Sequence, residues 1–144
     1  MKIDVNGVSI TLTKEQLEEI NKQQTKPFDF KSIKSFEDAC NHLGVSTEIP
    51  YFTNIGINNT RQYITMYKLD IIIRAINNGW KSDFTNKNQY KYYPYFEIND
   101  SGVGLFYNTD FNLSVRYLPL TLYLESDEKA KYMGKTFTDL YNEL

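Results

Sequence analysis

The sequence predicts an α+β fold: an antiparallel sheet of three or four strands, with a central apolar helix and a C-terminal helix on one face, preceded by a β-hairpin–helix element. Three observations predict it. Residues 60–78 are apolar over most of a helical circumference, residues 127–143 carry one apolar stripe, and residues 92–125 alternate as strands do. The 144 residues suit one domain with a small addition. The expected division is an appendage over 1–24, a linker over 25–34 and the α+β domain over 35–144.

The elements follow in order. Residues 2–12 predict a hairpin, because Asn6-Gly7 is the preferred pair for a type I′ turn, which needs positive φ twice. That turn sets Val5 opposite Val8 and Ile3 opposite Ile10, with Leu12 extending the same face. A helix follows. Thr13 caps it, and Gln16 stands three residues later as a capping box requires. Its stripe is only Leu17 and Ile20, so hairpin and helix together are too small for a core of their own.

Ser35 caps a short helix with Glu37 and Asp38 in its first turn, and Gly44 suits the left-handed position at its end. Phe36, Ala39, Cys40 and Leu43 form its apolar side. Residues 45–58 carry Pro50 and Gly56 and predict a loop. Asn58 or Asn59 caps the main helix, which Gly79 ends. Arg61, Lys68, Asp70 and Arg74 mark its wet edge.

Residues 92–98 and 103–107 predict strands joined by Asn99-Asp100-Ser101-Gly102. Leu113, Val115 and Tyr117 then alternate on odd positions, but Leu118, Leu120, Leu122 and Leu124 on even ones. That parity change predicts a bulge or corner beside Pro119. Ser126 caps the last helix, whose stripe is Ala130, Met133, Phe137, Leu140, Tyr141 and Leu144. Gly134 inside it costs about 1 kcal/mol against Ala, which close approach of a neighbouring backbone explains.

Composition narrows the function classes. The chain is 41% hydrophobic and 24% charged, which excludes a disordered chain. A net charge of -2 weighs against a generic basic nucleic-acid binder but leaves room for a local basic patch. Cys40 is the one cysteine, so no intrachain disulfide forms, as suits a reducing cytoplasm. The longest aliphatic run is Ile71-Ile72-Ile73, far short of a membrane span, and the N-terminus lacks the apolar core of a secretory signal. A soluble location and no membrane partner are the expectation. Lys, Asn, Ile, Tyr and Phe are all abundant, as AT-rich coding favours, so the tyrosine richness need not be functional.

Four blocks carry a resemblance: residues 35–40 (SFEDAC), 77–80 (NNGW), 88–96 (NQYKYYPYF) and 132–141 (YMGKTFTDLY). Over roughly 33–144 the chain resembles a group of small proteins of Bacteroidetes bacteria and their crAss-like phages, a group with no assigned activity. The resemblance implies a phage or mobile-element origin, with the host cytoplasm or the virion as location. It carries over no functional residue, and it makes the N-terminal hairpin and helix an added element.

No catalytic constellation emerges. Cys40 and His42 sit two apart on a helix and point away from each other, so they share no metal; a core cysteine and a surface histidine are expected. Gly102-x-Gly104 precedes no helix, and Gly134-Lys135-Thr136 lies inside one without the upstream glycine, so neither is a phosphate loop. Acid pairs such as Asp100 with Asp110, or Asp127 with Glu128, are turn and helix-start residues. The expectation is no enzyme, no cofactor and no metal.

The unusual feature is the aromatic stretch 80–96, with Trp80, Phe84, Tyr90, Tyr92, Tyr93, Tyr95 and Phe96 beside Lys81, Lys87 and Lys91. A four-residue loop over 99–102 pairs Ile98 with Val103 and Phe96 with Leu105 as the core face. Tyr93, Tyr95 and Phe106 then share the other face, with Gly104 leaving space beside Glu97. Three uses of that face stay open: cover by the chain itself, a protein interface, or stacking of single-stranded bases assisted by the lysines. The leading expectation is a non-catalytic interaction or structural protein acting by protein–protein contact or self-association through Trp80, Lys91, Tyr93, Tyr95 and Phe106. The alternatives are a single-strand nucleic-acid-binding module and an inhibitor of a host defence protein.

Overall fold

The computed structural model describes residues 2–5, 8–24, 27–50, 60–113 and 122–144. It is an α+β structure. Strands β1 (Lys2–Val5) and β2 (Val8–Thr11) pair antiparallel, with Ile3 opposite Ile10 and Val5 opposite Val8, the register expected of a two-residue turn. The Asn6-Gly7 turn itself lies outside the described residues. Helix α1 (Lys14–Gln24) opens on a reciprocal capping box: Gln16 N–H donates to Thr13 Oγ1 (3.2 Å), and Thr13 N–H donates to Gln16 Oε1 (3.0 Å).

The stretch expected to link the two parts packs against the core. Asp29 caps a 3-10 turn at Phe30–Ser32, Ile33 is buried, and Phe28 and Phe30 pack beside it. Helix α2 (Phe36–Leu43) has the expected caps: Ser35 Oγ accepts from Asp38 N–H, and Gly44 takes φ 65°. Ala39 and Cys40 are fully buried.

Helix α3 (Thr60–Asn77) ends where Asn78 (φ 47°) and Gly79 (φ 94°) both turn left-handed. The proposed caps Asn58 and Asn59 lie outside the described residues. Leu69, Ile71, Ile72, Ile73, Ala75 and Ile76 are all buried, because α2, the 3-10 turn and both C-terminal helices surround α3. Each of these leucine and isoleucine side chains contributes about 1.5–3 kcal/mol by leaving water.

Strand β3 (Lys91–Ile98) pairs antiparallel with β4 (Gly104–Asn112). Among the described residues this sheet has two strands, and a single bridge from Tyr92 to Leu124 adds a third piece of chain. Of the further stretch expected to alternate over 113–124, residues 114–121, with the corner expected near Pro119, lie outside the described residues, and Leu122–Leu124 contribute only the bridge at Leu124.

The hairpin register differs from the four-residue loop. Asn99 N–H bonds the Val103 carbonyl, and Gly102 N–H bonds the Asn99 carbonyl, so Asn99 and Val103 close a three-residue turn with Gly102 at φ 80°. The Asn99 side chain fixes that turn by accepting from Ser101 and Val103 N–H. Ile98 therefore faces Gly104, Glu97 faces Leu105 and Phe96 faces Phe106. The register then slips by one, with Tyr107 the extra residue, so that Tyr95 faces Asn108.

The C-terminal helix is broken in two: α4 (Asp127–Thr136) and α5 (Thr138–Tyr141), separated at Phe137. The Thr138 hydroxyl occupies the Gly134 carbonyl, the acceptor that its own amide would use in a continuous helix. Ala130, Met133 and Phe137 are buried, Leu140 and Tyr141 half-buried, and Leu144 exposed.

Candidate functional site

The two faces of the β3–β4 hairpin have different fates. Tyr92, Pro94 and Phe96 alternate toward α4 and α5. Gly134 of α4 sits against Pro94 and Phe106, and Phe96 meets the Tyr141 ring at 4.6 Å. The shifted register places Phe106 on this covered face, not beside Tyr93 and Tyr95 as the four-residue loop implied. It also moves Leu105 to the open side.

The open side begins at Lys91 and ends at the hairpin tip. Lys91 is fully buried, and its Nζ donates to the carbonyls of Asn86 (3.0 Å), Gln89 (2.7 Å) and Leu113 (3.0 Å) while lying 4.8 Å from the Phe84 ring centroid. Three donors meet three acceptors over an aromatic face, so the group is fully used within the fold. It ties loop 80–90 to the end of β4. That loop also knots itself. Asp83 accepts from the Thr85 hydroxyl and amide, which hold its carboxyl below the usual range, and Gln89 bonds both Asp83 N–H and the Lys81 carbonyl.

Tyr93 comes next. It is half-buried, stands edge-on to the buried Tyr123 at 6.0 Å, and its hydroxyl reaches Asp110 at 3.2 Å. Beyond it the covering ends. Tyr95, Leu105 and Tyr107 are 51%, 56% and 64% exposed, and the Tyr95 and Tyr107 rings meet at 6.0 Å. Leu105 and Tyr107 were not singled out from the sequence. The signal for them is the pairing of Asn99 with Gly102, which permits the three-residue turn and shifts every partner by one.

Trp80 stands elsewhere. It lines an open groove of about 480 Å³ with Phe28, Phe30, Asn77, Asn78, Glu125 and Lys129. Asn77 is committed to structure: its Nδ2 donates to the Tyr123 carbonyl (2.8 Å) and its Oδ1 accepts from Glu125 N–H (3.1 Å). Glu125 and Lys129 are paired with each other at 2.5 Å. Nearby, the exposed His42 stacks on Phe28 at 4.2 Å and its Nε2 meets Asn78 Oδ1 at 2.9 Å, while burial pushes the Cys40 thiol up.

The five candidate residues thus divide. Tyr93 and Tyr95 share one face, Trp80 lines a separate groove, Phe106 lies under α4, and Lys91 is interior. Among the described residues, no three His, Cys, Asp or Glu side chains are placed to hold a metal, and no helix is long and apolar enough to cross a membrane. Comparison with protein-family models, with curated proteins and with solved structures gave no match.

Proposed function

We propose that this chain is a non-catalytic interaction or structural protein of a phage or mobile element, acting by protein–protein contact in the host cytoplasm or the virion. Its contact surface in this reading is the open end of the hairpin. The carrying observation is the exposure of Tyr95, Leu105 and Tyr107 together on one side of a sheet whose other side is packed under α4 and α5 at Pro94, Phe96 and Phe106. Rings with polar tips around an aliphatic centre have the composition of a contact surface. An inhibitor of a host defence protein is one form of the same contact. The sheet in this reading has a third strand around Leu122–Leu124, antiparallel to β3, and the Tyr92–Leu124 bridge supports it.

Stacking of single-stranded bases is less well supported, because Lys91 is spent on three carbonyls and brings no charge to the surface. The test is a photo-reactive benzoylphenylalanine at Tyr95 in the bacterial host, with the same group at Lys87 as control. A discrete protein adduct from position 95, resistant to nuclease and lost when Leu105→Ser is added, is the expected result. Nuclease-sensitive adducts, or the same adducts from position 87, overturn the reading. So does a purified chain whose mass by light scattering rises by that of a single-stranded oligonucleotide at low salt.

A further inference from the structure

We propose that the partner of the open hairpin face is a different protein whose surface has an apolar centre and a rim of lysine or arginine. The inference rests on the contact reading above and names the chemistry of its partner. From Tyr92 to Leu113 the chain holds Glu97, Asp100 and Asp110 and no Lys, Arg or His.

The register puts two of those acids on the face in question. Glu97 stands opposite Leu105, and Asp110 stands opposite Tyr93, two residues along from Tyr95. Asp100 is in the turn at the tip. All three are exposed, and none has an ion-pair partner among the described residues. The one base of β3, Lys91, is turned inside. Among the described residues of the hairpin, the charged groups beside the apolar patch of Tyr95, Leu105 and Tyr107 are therefore carboxylates.

That arrangement discriminates among occupants. A nucleic acid brings phosphates against carboxylates. A second copy joined through the same face by a two-fold axis sets an acidic rim against an acidic rim. Like charges across an interface suppress the wrong partner, whereas a complementary rim steers the right one. A basic rim is the complement this face selects, and the contact it makes weakens with salt.

The test uses the full chain and three fluorescent probes: a peptide alternating valine and lysine, one alternating valine and glutamate, and an oligothymidine. Anisotropy at low and high salt reads binding. The Val/Lys peptide is expected to bind at least about tenfold tighter than the Val/Glu peptide, and to weaken with salt. Leu105→Ser with Tyr95→Ser should abolish that binding. Glu97→Lys with Asp100→Lys should reverse the preference between the two peptides while leaving the fold intact by circular dichroism.

Equal binding of both peptides, still lost in the Leu105→Ser, Tyr95→Ser variant, overturns the basic rim and leaves the contact reading standing. Self-association that Leu105→Ser abolishes, with no peptide bound, does the same in favour of a second copy. Preference for the oligothymidine overturns both, as does binding of no probe with an unchanged monomer mass.

Discussion

The side-chain amide of Asn142 pairs with both backbone groups of Gly104: Gly104 N–H donates to Oδ1 at 2.7 Å, and Nδ2 donates to the Gly104 carbonyl at 3.0 Å. Asn142 thus does at the end of β4 what a further strand would do. Asn77 does the same for Tyr123 and Glu125, on the piece of chain bridged to β3. Unpaired strand edges template association, and two asparagines cover these positions. Gly104 suits the approach, since a Cβ there would stand 3.0 Å from Asn142 Oδ1, tighter than an ordinary contact.

Asn142→Ala removes both bonds and Asn142→Asp removes only the donor. Each bond contributes about 1 kcal/mol, so urea unfolding should show a loss of about 2 kcal/mol for Ala. The Asp variant should lose at least half of that, because its carboxylate faces the Gly104 carbonyl. Equal stability of all three proteins would show that the amide clamp carries no free energy.

Gly134 has a different reason. Ala there would favour the helix by about 1 kcal/mol. Its Cβ, however, would lie 2.8 Å from the Pro94 Cβ and closer still to the Phe106 ring. Overpacking of this kind costs about 1–3 kcal/mol, so Gly134→Ala is expected to destabilise despite the better propensity. Phe106→Leu removes the ring and should make the alanine less harmful in a double-mutant cycle. Additive effects would refute the steric account.

Local rules carried much of this fold in the sequence. The Thr13–Gln16 box, the Ser35 and Ser126 caps, the Gly44 end and the buried circumference of α3 all depend on residues close in the chain, and all are present. The hairpin register was not legible from turn composition alone. Asn99-Asp100-Ser101-Gly102 fits a four-residue loop as well as a three-residue turn, and one step exchanges Phe106 for Leu105 on the open face. The glycine within the helix pattern implies a close neighbour at Gly134, and that neighbour is the Phe106 ring and Pro94 rather than a backbone. Lys91 escaped for another reason. Its three carbonyl partners come from residues 86, 89 and 113, and the last is brought near only by the sheet. The site suffers accordingly: Tyr95 stands where the alternation places it, whereas Lys91 is buried and Phe106 is half-buried under α4.

Lys91→Met tests the internal role. Methionine keeps most of the volume and leaves three carbonyls without their donor. An unsatisfied buried polar group costs about 1–3 kcal/mol, and the three carbonyls are part-buried, so a loss of about 1–3 kcal/mol is expected. Trp80 is the one tryptophan of the chain and begins the loop that Lys91 ties down, so its fluorescence should change in the folded variant. Unchanged stability and unchanged Trp80 emission would remove Lys91 from the structure's support and return it to the surface candidates.

Acid should weaken the junction between α4 and the hairpin. Asp127 accepts from the Lys131 ammonium (2.7 Å) and from the Thr109 hydroxyl, and these bonds, in that order, hold its carboxyl below the ordinary value of 3.8. A carboxyl depressed in the folded state contributes stability that is present above the unfolded value and is lost as pH falls toward the folded one. The pair is half exposed, so its contribution is below about 1 kcal/mol. Urea midpoints should therefore separate the native chain from Asp127→Asn near neutrality and converge as pH drops below about 4. The helix start adds to the effect, since a negative charge in the first turn of α4 favours the dipole. A gap that persists unchanged to low pH would mean that Asp127 acts through packing, and that its charge contributes nothing to holding α4 on β4.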